Sequence, residues 1–240
     1  MKKWKLAVLA IGWMWLATGC AAWHDKPYGE EQQLFLPGEH RQIWAIAPAI
    51  NISGESQIDP LLQSDLVYQE LQKVHGLTVI PVDRVVEVYV SLKIDKIQNE
   101  RQAYDICQAL GCDGLVVPTV TAYDPYDPPK FGASLQLFVK PGMFQRMPKL
   151  DLHQLEQSAT TTALPPPIPE TKNMAQVVEI YDAADGTVRD RVSAYSQGRT
   201  DPNGPLGVNE ITQSMDRYCA FGYHELLNEL LGNLTEANAG

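Results

Sequence analysis

The chain has 240 residues, 19 basic against 29 acidic, for a formal charge of −10, and 45% of them are hydrophobic. That length suits one medium domain, or one domain with a decorated loop. So acidic a surface repels phosphate backbones and anionic headgroups, which argues against nucleic-acid binding and against basic-patch docking on a membrane.

Lys2, Lys3 and Lys5 make a basic start, an uncharged apolar run from Leu6 to Leu16 follows, and Ala17, Thr18 and Gly19 precede Cys20. A charged n-region, a short apolar h-region and small residues before a cut site predict a secretory signal peptide over residues 1–19. The run is well short of the roughly 20 residues a spanning helix needs. A cysteine straight after small residues resembles the lipobox of bacterial lipoproteins, although the leucine usual three positions before it stands one step further out, at Leu16, with Ala17 in its place. The resemblance implies that Cys20 becomes the lipidated first residue of the mature chain, carrying palmitate-like acyl chains. The other reading is an ordinary cleaved signal with Cys20 in a disulfide. With Lys2, Lys3 and Lys5 gone from the 19 basic residues, 16 face 29 acidic ones, a balance of −13. Attachment to the membrane then falls to the acyl chains, each buried CH₂ of which contributes about 0.8 kcal/mol.

Residues 20–41 read as the lipidated cysteine and a polar tether, in which Leu34-Phe35-Leu36 offers an apolar segment for docking. A single domain is expected over 42–232, with a Pro-rich insertion at about 141–173 and a tail at 233–240. Gln42 to Ile50 is a near-continuous apolar run, the signature of a strand covered on both faces, with Pro48 marking a bulge or an edge. Asp59 and Pro60 suit the N-cap and first position of a helix whose face carries Leu62, Leu66, Leu71 and Val74, closed by Gly76. Leu77 to Val82 is the second strand, which completes a parallel βαβ unit. Val86, Val88, Val90, Leu92 and Ile94 alternate as a strand would, whereas Val85, Val86, Tyr89 and Leu92 share a helical face behind an Asp83 N-cap. The helix is the reading taken.

Asn99 caps the next helix, with Ala103, Ile106, Cys107 and Leu110 on one face and Gly111 at its end. Asp113 to Tyr123 is a third strand, interrupted by Pro118. Tyr123 to Pro129 is turn chemistry, and Gly132 to Lys140 another strand. Within the insertion, a short helix is expected near Leu150–Gln157, and an extended Pro-rich excursion over Ser158–Pro169. Met174 to Asp182 resumes a strand. Asp185-Gly186 predicts a hairpin with Thr187–Tyr195 returning, although Val188, Val192 and Tyr195 also fit a short helix. Asn209 caps a last helix with the stripe Ile211, Met215, Tyr218, Gly222, Leu226 and Leu230, and Gly232 ends it. The class expected is α/β, with α+β the neighbouring possibility: a small mixed sheet flanked by helices, a βαβ start and a long C-terminal helix.

Ala47-Pro-Ala-Ile-Asn-Ile-Ser-Gly54 and Ala109-Leu-Gly-Cys-Asp-Gly-Leu-Val-Val-Pro-Thr-Val-Thr121 resemble the first strand and a helix–Gly–strand passage of a group of bacterial envelope lipoproteins. The group includes the curli-secretion lipoprotein, the activators of penicillin-binding proteins, and the amino-terminal domain of the Tol translocation protein. The resemblance covers roughly 42–123, 174–195 and the last helix. It implies an α/β sandwich that binds other envelope proteins, and it brings no catalytic residue with it.

Candidate chemistry is sparse. His24, His40, His75, His153 and His224 show no second ligand at helical metal spacing, and His75 reads as a helix-end residue. Asp124 and Asp127 are candidates for paired carboxylates, but Asx-turn bonding before proline accounts for them more simply. Asn51-Ile-Ser-Gly-Glu-Ser has one glycine, no lysine and acidic neighbours, a poor phosphate loop. Beyond Cys20, the odd number of cysteines (Cys107, Cys112 and Cys219) is no disulfide framework; they read as small buried residues, with a Cys107–Cys112 bridge as the rival. No catalytic, cofactor-binding or metal residue is assigned, and the only site residue is Cys20, for lipidation. The expectation is a non-catalytic interaction and assembly module, without cofactor, exported and facing the periplasm. Ala21 in place of an aspartate after Cys20 points by analogy to the outer membrane. Its partners would be the membrane, through Cys20, and an envelope protein, with a homo-oligomer open. An outer-membrane secretion pore is the alternative, but only Gly132–Lys140 approaches a barrel strand. An envelope enzyme is the other.

Overall fold

The computed structural model describes residues 29–38, 40–140 and 174–239. Met1–Cys20, the expected helix at Leu150–Gln157 and the excursion at Ser158–Pro169 lie outside them, as do His24 and His153. Among the described residues six strands form one mixed sheet: β1 (Gln42–Ile46), β2 (Ile50–Asn51), β3 (Leu77–Ile80), β4 (Gly114–Asp124), β5 (Lys130–Val139) and β6 (Met174–Asp182). The helices are α1 (Pro60–Leu71), α2 (Val82–Leu92), α3 (Glu100–Leu110), α4 (Gly186–Ser196), α5 (Glu210–Gln213) and α6 (Met215–Ala239), with a 3₁₀ turn at Gly207–Asn209.

The sheet runs β3-β1-β4-β5-β6, with β2 also on β4. β1 pairs in parallel with β3 and with β4, as the βαβ reading requires, and β4-β5-β6 is antiparallel. α1, α4 and α6 cover one face through Trp44, Ile46, Leu135, Tyr181 and their neighbours, while α2 and α3 cover the other through Ala45, Leu115, Val117 and Phe138. Strands buried on both faces read as continuous apolar runs, which is why β1 and β4 carry so little alternation.

Two prolines share one gap in this sheet. The carbonyls of Val116 and Val120 accept from Ala47 and Ile52, so the backbone groups of Pro118, between them in the same alternation, face the β1–β2 side. There Pro48 has already broken the partner strand, and the missing Pro118 N–H leaves no orphan in the ladder. β4 therefore runs through Pro118 rather than being interrupted by it. Ser64 of α1 fills the breach: its hydroxyl accepts from the Ala49 N–H at 2.8 Å and lies 3.1 Å from the Ala47 carbonyl it can donate to.

Several expectations are corrected. Thr187–Tyr195 is helix, not a returning strand: Asp185 accepts from the Thr187 N–H at 2.8 Å and its hydroxyl at 2.9 Å, an N-cap, while Val188, Val192 and Tyr195 pack inward at i, i+4 and i+7. α1 ends at Leu71, so Gly76 and His75 lie beyond it, and His75 joins Phe35 in an isolated parallel bridge instead of closing the helix. α2 has Pro81 at its cap position, with Asp83 in the first turn. Asn209 makes no side-chain cap bond; the helix is interrupted at Ser214, and α6 continues past Gly232 to Ala239. The caps at Asp59 and Asn99 form as read.

Candidate functional site

The stretch around Glu31–Leu36 is built into the fold. Leu34 and Leu36 are 5% and 8% exposed and belong to the larger core. Between them Phe35 points outward and stacks on His75, ring centroids 4.9 Å apart. The backbone bonds on both sides of His75, Leu36 N–H to its carbonyl at 3.0 Å and its N–H to Leu34 at 2.8 Å. Gln33 adds a side-chain bond to His75 Nε2 at 2.7 Å. The docking foreseen for Leu34-Phe35-Leu36 is thus an added β-bridge at the β3 edge, with alternate side chains turned into the core.

Beneath it lies a cluster of charges drawn from four elements. Arg199 Nη2 meets Glu31 Oε1 at 2.7 Å, and its guanidinium lies over the Tyr195 ring at 3.9 Å. Glu70, on α1, receives Lys73 Nζ at 2.7 Å and the Tyr195 hydroxyl at 3.1 Å on one oxygen. His224 Nδ1, from α6, lies 3.1 Å from the other. Burial alone would push the Glu70 carboxyl up, but the bonds from His224 and Lys73 outweigh it and hold it below the usual value. Gly198 lets the tether approach: it takes φ 74°, and a Cβ there would stand 2.7 Å from the Glu31 nitrogen.

A histidine bonded to a carboxylate is also the arrangement of a general base. His224, however, is 1% exposed and its Nε2 is buried without a partner, inside packed core rather than at a cleft. What the cluster does is mechanical and electrostatic: it fastens Glu31 to α1, α6 and the segment after α4.

The other residues weighed from sequence are scattered. Asp124 accepts from the Tyr126 N–H at 3.1 Å, an Asx turn in the β4–β5 connection. Asp127 lines a separate cleft of about 410 Å³ with Arg189, Ser193 and Thr212, but Arg189 is engaged by the Ala183 and Ala184 carbonyls. The Asn51 loop is held by its own side chains, Asn51 reaching the Glu55 carbonyl at 2.7 Å. Cys107, Cys112 and Cys219 are buried thiols. Among the described residues no group of three or more His, Cys, Asp or Glu side chains is placed to hold a metal, and no helix is long and apolar enough to cross a membrane. Cys20 lies outside the described residues.

The Glu70–His224 pair was missed from sequence because its members are 154 residues apart. One sign of it was legible: α1 places Glu70 on the same face as Leu66 and Val67, so a carboxylate had to enter the core with partners.

No protein-family model and no curated protein matches the chain. Among solved structures, the LpoB C-terminal domain from Salmonella enterica is 12% identical with a TM-score of 0.35, over 43% of this chain and 76% of that one. Lipoprotein GNA1162 from Neisseria meningitidis is 18% identical with a TM-score of 0.31, over 41% and 69%. The PelC dodecamer from Paraburkholderia phytofirmans is 7% identical with a TM-score of 0.38, over 84% and 94%. Each is a loose likeness at most.

Proposed function

We propose that this chain is a lipid-anchored interaction module of the bacterial envelope, held in the outer membrane through acyl chains on Cys20 and presenting its domain to a protein partner in the periplasm. The observation that carries the reading is the docked stretch behind the leader. A leader ending at a lipobox-like cysteine is followed by a segment that the domain receives through Leu34, Leu36 and Glu31. Eleven residues from Ala21 to Glu31 span at most about 40 Å, so the docked end of the domain stays within that distance of the anchor. A balance of −13 after removal of the leader keeps the surface off anionic headgroups and leaves acylation as the membrane contact.

Replacing Cys20 with serine tests the anchor: the variant is expected to leave the membrane fraction after a salt wash while its circular dichroism and denaturation midpoint stay unchanged. A Cys20→Ser chain that still sediments with washed membranes would overturn the anchor. Crosslinking in the native cell, followed by recovery of the anchored chain, tests the partner. A reproducible crosslink to a different envelope protein supports the module. Crosslinks only to copies of this chain, or none, count against a separate partner.

A further inference from the structure

Cys107 and Cys112 share the end of α3. Gly111 takes φ 70°, its N–H bonds to the Gln108 carbonyl at 3.3 Å, and the Cys112 N–H reaches the Cys107 carbonyl at 3.1 Å. These paired closures make a Schellman motif, whose geometry brings together the side chains on either side of the left-handed residue. In most helices that contact is between two apolar groups. Here both positions are cysteine, so the contact that the motif sets up lies between two thiols of one core cluster. Their side chains therefore face one another, the first demand of a disulfide. Cys107 is 1% and Cys112 0% exposed, in the smaller core with Ala103, Ile106 and Leu115, whereas Cys219 belongs to the core on the opposite face of the sheet.

We propose that Cys107 and Cys112 are a modification site: they close into an intrachain disulfide that clips the end of α3 to the start of β4. That the bridge forms in the cell rests on the export reading above, since an oxidising compartment is what maintains it; the geometry stands without it. The oxidant is a disulfide compound of the glutathione class. One thiolate of the pair attacks a sulfur of oxidised glutathione and expels one glutathione thiolate, leaving a mixed disulfide. The second thiolate then attacks the protein sulfur of that bond and expels the other glutathione. The protein pair is oxidised by two electrons, the reagent becomes two reduced glutathiones, and the two thiol protons pass to them. Burial of both sulfurs routes the exchange through the folding chain.

The test uses the full-length chain expressed with its leader. In one arm, membranes are denatured in an alkylating reagent without reductant and digested with trypsin, which leaves both cysteines in one peptide, residues 102–130. In the other arm, the purified chain in detergent is reduced, denatured and refolded in a glutathione redox series. The expected result is a peptide lighter by two hydrogens and closed to alkylation in both arms, with Cys219 alkylated; Cys107→Ser should return Cys112 to an alkylatable form. Free thiols, or glutathione adducts without the internal bond, after refolding in fully oxidised glutathione would overturn the bridge. A bridge in the refolded chain with free thiols in the cell upholds the site and overturns export.

Discussion

Two glycines of one helix sit in opposite surroundings. Gly222 lies on the buried stripe of α6, and a Cβ there would stand 2.6 Å from the Phe131 ring and 3.0 Å from that of Tyr181. Both rings are fully buried, and Phe131 also meets Tyr223 edge-on at 5.1 Å, so neither has room to retreat. Alanine gains about 1 kcal/mol of helix propensity over glycine, while overpacking a filled core costs about 1–3 kcal/mol. Overpacking wins at this position, and Gly222→Ala is expected to lose about 1 kcal/mol. Gly232 is exposed, and a Cβ added there would meet nothing within 4 Å. There the same substitution keeps only the propensity gain and should stabilise by about 0.5–1 kcal/mol. Urea denaturation of the two variants, with unchanged slope, checks both signs. A stabilised Gly222→Ala would mean that the α6–sheet contact is looser than these distances imply.

At the scale of elements, Asp185-Gly186 shows where local signals conflict. The dipeptide suits a hairpin turn, but it also suits an N-cap followed by a first helical residue, and the spacing of Val188, Val192 and Tyr195 decides for helix. Asp185→Ala removes two bonds to Thr187 and should cost about 1 kcal/mol, with Asp185→Asn restoring most of it. Equal stability of the alanine and asparagine variants would remove the cap from the account. The elements legible in the sequence were those with local causes: the Asp59 and Asn99 caps, the apolar face of α3, and the parallel β1–α1–β3 unit. α1 was legible at its start but not at its end or in its orientation. Leu61 and Leu62 are exposed while Gln63, Ser64 and Glu70 are buried. Their partners are the Tyr223 hydroxyl, the backbone at Ala47–Ala49, and His224, all remote in sequence except through the fold. A periodicity argument ranks leucine as core and glutamine as surface, and only tertiary contacts reverse the order.

At the scale of the whole molecule, Glu70 is where the docked tether, α1, the end of α4 and α6 meet, so its ionisation bears on global stability. Its folded pKa lies below its unfolded value, because His224 and Lys73 outweigh the cost of burial. The stabilisation is therefore complete above the ordinary glutamate value of about 4.3, and is lost as pH falls through the lowered folded value. Asp182, held low by Lys130, acts in the same direction, but its side chain is 35% exposed and solvent screens the pair. Asp65 and Glu229 are raised, first by desolvation, and would oppose it, but both residues are exposed and solvent screens them as well. Glu70→Gln should thus cost about 3 kcal/mol near pH 7, where it takes the carboxylate from His224 and Lys73 and leaves Arg199 to Glu31 alone. It should also flatten the acid limb of the stability curve. Glu229→Gln, at an exposed position, should leave the curve nearly unchanged. Urea midpoints for the three chains, measured from about pH 7 down to about pH 3, separate these effects. If Glu70→Gln kept the acid limb of the parent, the acid sensitivity would belong to other carboxylates, and the tether would be held by Leu34 and Leu36 rather than by charge.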